Sequence, residues 1–245
     1  MNTPNLIFIV PYRNRENQYN VFKRQMSYVL EDEVNYKILY IHQKDNRDFN
    51  RGALKNIGFI IVKQQYPDTY KDITLVFNDI DTMPTQKLFD YRTQKNNIKH
   101  FYGFRFALGG IVSINAEDFE IINGFPNYWS WGYEDNELQA RALVKNINID
   151  RSVFYNIGDS HIAHLMDGIH RTINKNEYKY FKWKSREGIN SIHNLQYSIN
   201  HETNFIDVTY FSTGREPRSD LNRQYNLSNG SKPFKRKSRL KMTIS

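Results

Sequence analysis

The chain has 245 residues, a net charge of +8, 39% hydrophobic and 15% aromatic residues, and no cysteine. That composition excludes wholesale disorder, disulfide cross-links and thiolate chemistry, and the length suits one sizeable core rather than two ordinary domains. The apolar stretch at residues 5–10 is too short to span a bilayer and carries no basic leader, so the expectation is a soluble, cytoplasmic protein with no membrane span.

Leu6–Val10 reads as a buried strand halted near Pro11, Asn17–Leu30 as a helix, and the alternating Tyr36–Ile41 as a second strand. Arg51–Lys63 carries Leu54, Ile57, Ile61 and Val62 at helical spacing, and Ile73–Phe77 is a third short apolar run. Strand, helix, strand, helix, strand predicts an α/β fold with a mostly parallel central sheet, whose ligands bind beyond the carboxyl ends of the strands. Both Pro11–Arg15 and Asn78–Asp81 fall at such ends. Farther on, Ile111–Ile114 reads as a strand, Glu117–Ile122 as a short helix, Glu134–Leu143 as a helix, and Phe205–Phe211 as a closing strand. The polar, weakly periodic stretch from Asn156 to Glu187 predicts a mobile loop. Basic residues crowd the end of the chain, from Lys232 to Lys241, so the expected organisation is a single domain over 1–211 and a basic, flexible tail over 212–245. No RNA- or DNA-binding motif accompanies the charge, and nucleic acid is not an expected partner.

Four segments carry chemistry. Asp79-Ile80-Asp81 puts two carboxylates on one side of an extended segment, a hard-ligand arrangement for Mn²⁺ or Mg²⁺ with diphosphate oxygens alongside. His161, His164 and His170 fall within ten residues, and His161-x-x-His164 offers imidazole nitrogen to the same ion, with Met166 as a softer alternative. Trp129-Ser130-Trp131-Gly132-Tyr133-Glu134-Asp135 sets aromatics that stack on sugar beside acids at a helix start; the helix dipole favours an ionised Asp135, as a general base requires. Tyr12, Arg13 and Arg15 place one aromatic and two cations at a strand end, suited to a base and a phosphate, and Phe49 with Arg51 repeats the theme.

These segments resemble the β-1,4-galactosyltransferases, including the branch that acts on xylose. The matching stretches are Pro11–Arg15, Phe49–Phe59, Phe77–Pro84, Gly109–Ser113 and Ile122–Glu137, with weaker ones at His164–Asp167 and Gly188–Ile192, all in the family's order across about residues 5–211. The resemblance implies a GT-A, Rossmann-like nucleotide-sugar-binding fold and an inverting, Mn²⁺-dependent transfer of a hexose from UDP-galactose to a saccharide hydroxyl. It implies that Tyr12, Arg13, Arg15, Phe49, Arg51, Asp79, Gly110 and Trp131 serve the donor. It implies Asp135 as catalytic base, with Tyr133 and Glu134 beside it at the acceptor, of xylose or GlcNAc type. Asp81 and His164 would be metal ligands, completed by His161 or by Met166.

Two departures from the family pattern bear on specificity. Ala107 stands where an aromatic is usual, leaving room for a 2-acetamido group and hence for UDP-GalNAc, and Tyr133 replaces a glycine or arginine. The absence of cysteine and anchor, with a Lys/Asn/Ile bias, suggests a bacterial or virus-encoded enzyme. The alternative function is an inactive glycan-binding protein of the same fold.

Overall fold

A computed structural model describes residues 3–165, 170–182 and 186–226. In chain order the elements are β1 (Leu6–Tyr12), α1 (Glu16–Val29), β2 (Tyr36–Gln43), α2 (Arg51–Gln65), β3 (Thr74–Asn78), β4 (Thr82–Pro84), β5 (Asn97–Gly103) and β6 (Ile111–Asn115). There follow α3 (Ala116–Ile121), α4 (Glu134–Val144), β7 (Asn148–Asp150), β8 (Tyr155–Asn156), β9 (Ile162–His164), β10 (His170–Ile173), α5 (Glu177–Lys182), β11 (His193–Asn200), β12 (Phe205–Ser212) and β13 (Arg223–Asn226). The main sheet runs β11-β12-β2-β1-β3-β6-β5-β7, with β8 also against β5. Its centre, β12-β2-β1-β3, is parallel, while β6 joins β3 and β5 in antiparallel pairs.

Strand β1 is buried along its whole length, so it is apolar on both faces. Ile7 and Ile9 enter one core with α2 and α3; Leu6, Phe8, Val10 and Tyr12 enter the other with α1. Helix α2 starts because Asn50 caps it, its side chain accepting from Ala53 N at 2.9 Å. The same helix carries a buried amide, Asn56, whose Nδ2 donates to Phe125 O (2.7 Å) and Asn127 Oδ1 (2.9 Å), while Phe125 N donates back to its Oδ1 (2.9 Å). Asn50 Nδ2 adds a bond to Asn127 O at 3.0 Å. These amides satisfy the polar backbone of the turn at 125–127 and so aim the segment that leads into α4.

Two expectations need correction. The stretch from Asn156 to Glu187, read as a mobile loop, holds β9, β10 and α5 among its described residues; β9 pairs with β4 and β10 with β13. Its strands are too short and polar to register as periodic, because their partners come from distant sequence. The chain also does not stop packing at 212. Thr213 is buried, and Arg215 donates to Glu177 (2.9 and 3.0 Å) and to Glu187 (2.8 and 2.9 Å). The lysine- and arginine-rich stretch 232–241 lies outside the described residues. Among the described residues no helix is long and apolar enough to cross a membrane.

Candidate active site

The carboxyl ends of β1, β2 and β3 open into a cleft of about 460 Å³ lined by Arg13, Arg15, Arg47, Arg51 and Arg171 together with Asp48, Asp79, Asp81, Phe49 and Trp131. Asp79 and Asp81 follow β3 directly. The turn that carries them is fixed by Asn78, whose Nδ2 donates to Asp79 O and Thr82 O, both at 2.8 Å. Gly110 O accepts from Asp79 N at 3.3 Å.

Opposite these acids stand cations from α2. Arg51 Nε lies 3.6 Å from Asp79 Oδ1, and Arg51 Nη1 lies 3.2 Å from Glu134 Oε1. Burial opposes the Arg51 charge, but Asp79, Glu134, Asp135 and Asp81 outweigh it and hold the guanidinium firmly protonated. Burial likewise works against an ionised Asp79, yet Lys55, Arg51 and Arg171 draw its pKa below the ordinary carboxylate range. Asp81 moves the other way: burial and then neighbouring Asp79 raise it, against His164 and Arg51. Of the two carboxylates Asp81 is thus the one whose ionised form is less favoured by its surroundings, and a cation beside it would relieve that.

His164 lies beside Asp81 because β9 pairs antiparallel with β4, Thr82 facing His164, and Leu165 N donates to Asp81 O at 2.7 Å. Its Nδ1 meets Tyr102 Oη at 3.2 Å. His161 does not join them. Three positions back along an extended segment puts it on the opposite face, where its Nδ1 meets Asp159 Oδ1 at 2.8 Å and its ring packs on Tyr155. Met166 lies outside the described residues. Among the described residues, no three His, Asp or Glu side chains converge as a complete metal cage. Asp81 and His164 nevertheless form a mixed oxygen–nitrogen donor pair that fits Mn²⁺.

Asp135 stands at the start of α4, its carbonyl accepting from Leu108 N at 3.0 Å. Its carboxylate occupies the space left by Gly109: a Cβ there would come within 2.2 Å of Oδ2. The sequence pointed to the helix dipole as the influence on Asp135; in the structure burial acts more strongly on it. Burial dominates, with Glu134 and Asp79 adding to it against Lys55 and Arg51, and pushes Asp135 up to about 7. Glu134 is buried and engaged at both oxygens, by Arg51 and by Gly132 N at 3.0 Å, so it braces the turn rather than facing open solvent. Tyr133 caps the helix with φ of 71° and stacks on Phe181 at 4.7 Å.

Several expected donor residues sit elsewhere than expected. Tyr12 alternates away from the cleft and packs edge-on against Tyr19, His42 and Phe205, so it fills the core. Gly110, with φ of 76°, is where β6 passes tightly by Tyr102, a backbone role, and it is not part of the cleft lining. Arg13 lines the cleft but spends its donors on the carbonyls of Gln43, Arg47 and Asp45, tying down the loop that presents Phe49. Phe49 lies between the guanidiniums of Arg13 (5.5 Å) and Arg51 (5.7 Å). Of the two tryptophans in the 129–135 segment, Trp129 is buried against Phe211 and Trp131 lines the cleft, its N donating to Thr172 O at 3.1 Å.

The sequence reading passed over Arg171, Asn46, Arg47 and Asp48, which also line the cleft. Arg171 is 5.8 Å from the Trp131 ring, and burial, then Arg51, hold its pKa below the usual guanidinium value. Its only sequence signal is a cation within a histidine-bearing segment.

The family profile described as the N-terminal region of glycosyl transferase group 7 matches residues 2–94, and that described as the N-terminal domain of galactosyltransferase matches residues 92–164. Human β-1,4-galactosyltransferase 4 is 27% identical over 218 residues, 82% of this chain and 61% of that protein, so the chain spans about three-fifths of this relative's length. The xylosylprotein 4-β-galactosyltransferase of Caenorhabditis elegans is 29% identical over 210 residues, 79% of this chain and 71% of that one. The crystal structure of the catalytic domain of Drosophila β-1,4-galactosyltransferase 7 with xylobiose superposes with a TM-score of 0.67 at 20% identity, covering 84% of this chain and 93% of that chain. A mutant of the same enzyme in complex with manganese, UDP-Gal and xylobiose gives 0.64 at 19% identity, with the same coverage. The architecture is thus the GT-A fold. The two profiles adjoin and together span residues 2–164, and with these relatives they show that the chain belongs to the β-1,4-galactosyltransferase family.

Proposed function

We propose that the chain is an inverting, divalent-metal-dependent glycosyltransferase that moves galactose, or its 2-acetamido analogue, from a UDP-sugar to a hydroxyl of an acceptor sugar, with a β-1,4 linkage. The observation that carries this reading is one charge system linking donor-side and acceptor-side carboxylates: Arg51 bridges Asp79 and Glu134, and feels Asp135 and Asp81 in the same cleft.

Asp81 and His164 would hold Mn²⁺, with Tyr102 fixing the imidazole through Nδ1. When bound, the ion would neutralise charge on the diphosphate leaving group. The protein's own residues do the rest. Arg15, Arg51 and Arg171 give the cleft the positive potential that attracts a nucleotide diphosphate, and Phe49 offers a flat apolar surface to the base. Trp131, which lines the cleft, would pack on the sugar and limit its access to water. Asp135 removes the proton from the acceptor hydroxyl as its oxygen forms a bond to the anomeric carbon. The bond from that carbon to the phosphate oxygen breaks, UDP keeps the electron pair, and the configuration inverts. A raised Asp135 suits this role, since a base near the working pH accepts a proton in the transition state and releases it afterwards.

The activity of the xylosylprotein 4-β-galactosyltransferase relative and the UDP-Gal and xylobiose held by the Drosophila enzyme support galactose as donor sugar and a xylose-type acceptor. Ala107, small and buried two residues before Gly109, favours testing UDP-GalNAc beside UDP-galactose. A donor-by-acceptor screen for UDP release, with and without Mn²⁺, tests the reading: release that needs both acceptor and metal supports it, and donor binding without turnover for any pair points to a glycan-binding protein instead.

A further inference from the structure

Lys55 falls in the middle of an apolar helix and in none of the roles above. It stands one turn after Arg51 on α2, so both cations leave the same face of the helix. Only 2% of its side chain is exposed. Its Nζ lies 3.5 Å from Asp135 Oδ1, 3.8 Å from Asp79 Oδ1 and 4.5 Å from the centre of the Phe125 ring. Those two carboxylate oxygens are themselves buried and have no hydrogen-bond partner, so the ammonium and Arg51 are the charges that compensate them.

Placing an ammonium here is costly. The desolvation penalty amounts to several kcal/mol per ion, and an apolar side chain of similar volume is often neutral or stabilising in its place. Helix α2 already packs into the core through Leu54, Ile57 and Phe59, so stability does not call for a charge. What the charge does is connect the end of β3 to the start of α4, two elements that share no strand or helix pairing.

We propose that Lys55 is a positioning residue for sugar transfer: its ammonium ties Asp135 to Asp79 and so fixes the base against the donor side of the cleft. This rests on reading Asp135 as the base. The groups that face Asp135 are Lys55 and Arg51 from α2, Asp79 from the end of β3 and Glu134 from α4. Of these Lys55 is the largest charge opposing burial at Asp135. Removing it leaves a buried carboxylate beside two other acids, which favours the protonated, inactive base.

The test uses Lys55→Met, Lys55→Arg and Lys55→Gln in the full chain, with melting temperature, kcat, donor KM, the pH profile and a ¹³C titration of the Asp135 carboxyl without metal, assigned through Asp135→Asn. In Lys55→Met the carboxyl titration and the acid limb of kcat are expected to move up by about one to three pH units, the range that one close opposite charge supplies. At pH 7 kcat falls by about tenfold or more, donor KM changes by less than about threefold, and the protein stays folded. Lys55→Arg restores part of the shift, which a purely structural role would not require. Should Lys55→Met not fold, Lys55→Gln provides the same readings. A folded Lys55→Met or Lys55→Gln with an unmoved titration and pH profile overturns the proposal. A titration that moves in a chain that transfers no sugar overturns the proposed function and leaves the Lys55 tie standing.

Discussion

Gly109 and Asp135 occupy each other's space: the carboxylate sits where the side chain of residue 109 would begin, 2.2 Å from a hypothetical Cβ and 2.7 Å from it at Cγ. Gly109 O also accepts from His100 Nε2 at 3.0 Å, and His100 is held neutral, down to about 4, chiefly by burial and then by Arg151. A buried neutral imidazole thus anchors the segment before β6 that makes room for the base. Gly109→Ala is expected to turn the Asp135 carboxylate away and lower kcat by about 10²-fold, the scale of a 1 Å misplacement. UDP affinity should change little, while the melting temperature should fall, because the carboxylate that turns away is the buried partner of Lys55. Steady-state kinetics beside calorimetry would check the pair.

Asp135→Asn should lower kcat by about 10²–10⁴-fold, the usual contribution of a general base, while UDP still binds. In the wild type, activity should rise with pH through about 7 as the raised carboxyl ionises. The stability consequence has a definite sign. With a folded pKa above the unfolded one, the native chain binds more protons between the two values, so this group's contribution falls as pH increases across that window. Asp135→Asn should therefore melt higher than wild type at pH 8, with the difference shrinking below pH 4.

The geometry separates the two histidines of the His-x-x-His pair. His164→Ala and Asp81→Asn should each weaken Mn²⁺-dependent UDP binding, by the order of 10–100-fold or more. His161→Ala, on the far face with Asp159, should leave it unchanged. Titration calorimetry with UDP across Mn²⁺ concentrations distinguishes them.

Arg215, just after β12, is tied to Glu177 of α5 and to Glu187 beyond that helix, and rests 3.8 Å over the Tyr180 ring. Its side chain is 19% exposed, Glu177 is buried and Glu187 is partly buried, so Arg215→Ala leaves two carboxylates without their countercharge. The expected loss is about 3–5 kcal/mol in denaturant unfolding. Truncation after residue 226 should be tolerated, whereas truncation after 214 should not.

What the sequence made legible follows from burial. Strands β1 and β3 are covered on both faces and so appear as unbroken apolar runs, and the motifs at their ends had to fall at the mouth of the sheet. Strand β5 escaped notice because His100, wholly buried, interrupts its apolar pattern, and its polarity is satisfied only by Gly109, Tyr102 and Arg151 from the folded chain. Tyr12 was misjudged for a local reason: it continues the alternation Leu6, Phe8, Val10, which sends it inward however suited its ring is to a base. His161 shows that spacing alone does not set convergence, since three residues bring side chains together on a helix but not along a strand. The buried lysine had no signal at all, because its partners arrive from β3 and α4, far away in sequence.

The most direct measurement follows product from UDP-galactose, Mn²⁺ and a xyloside or GlcNAc acceptor by NMR, in wild type and Asp135→Asn side by side. The account expects a β-linked disaccharide from the wild type and essentially none from the variant, with UDP bound equally by both. An α-linked product, or equal transfer by Asp135→Asn, would contradict it.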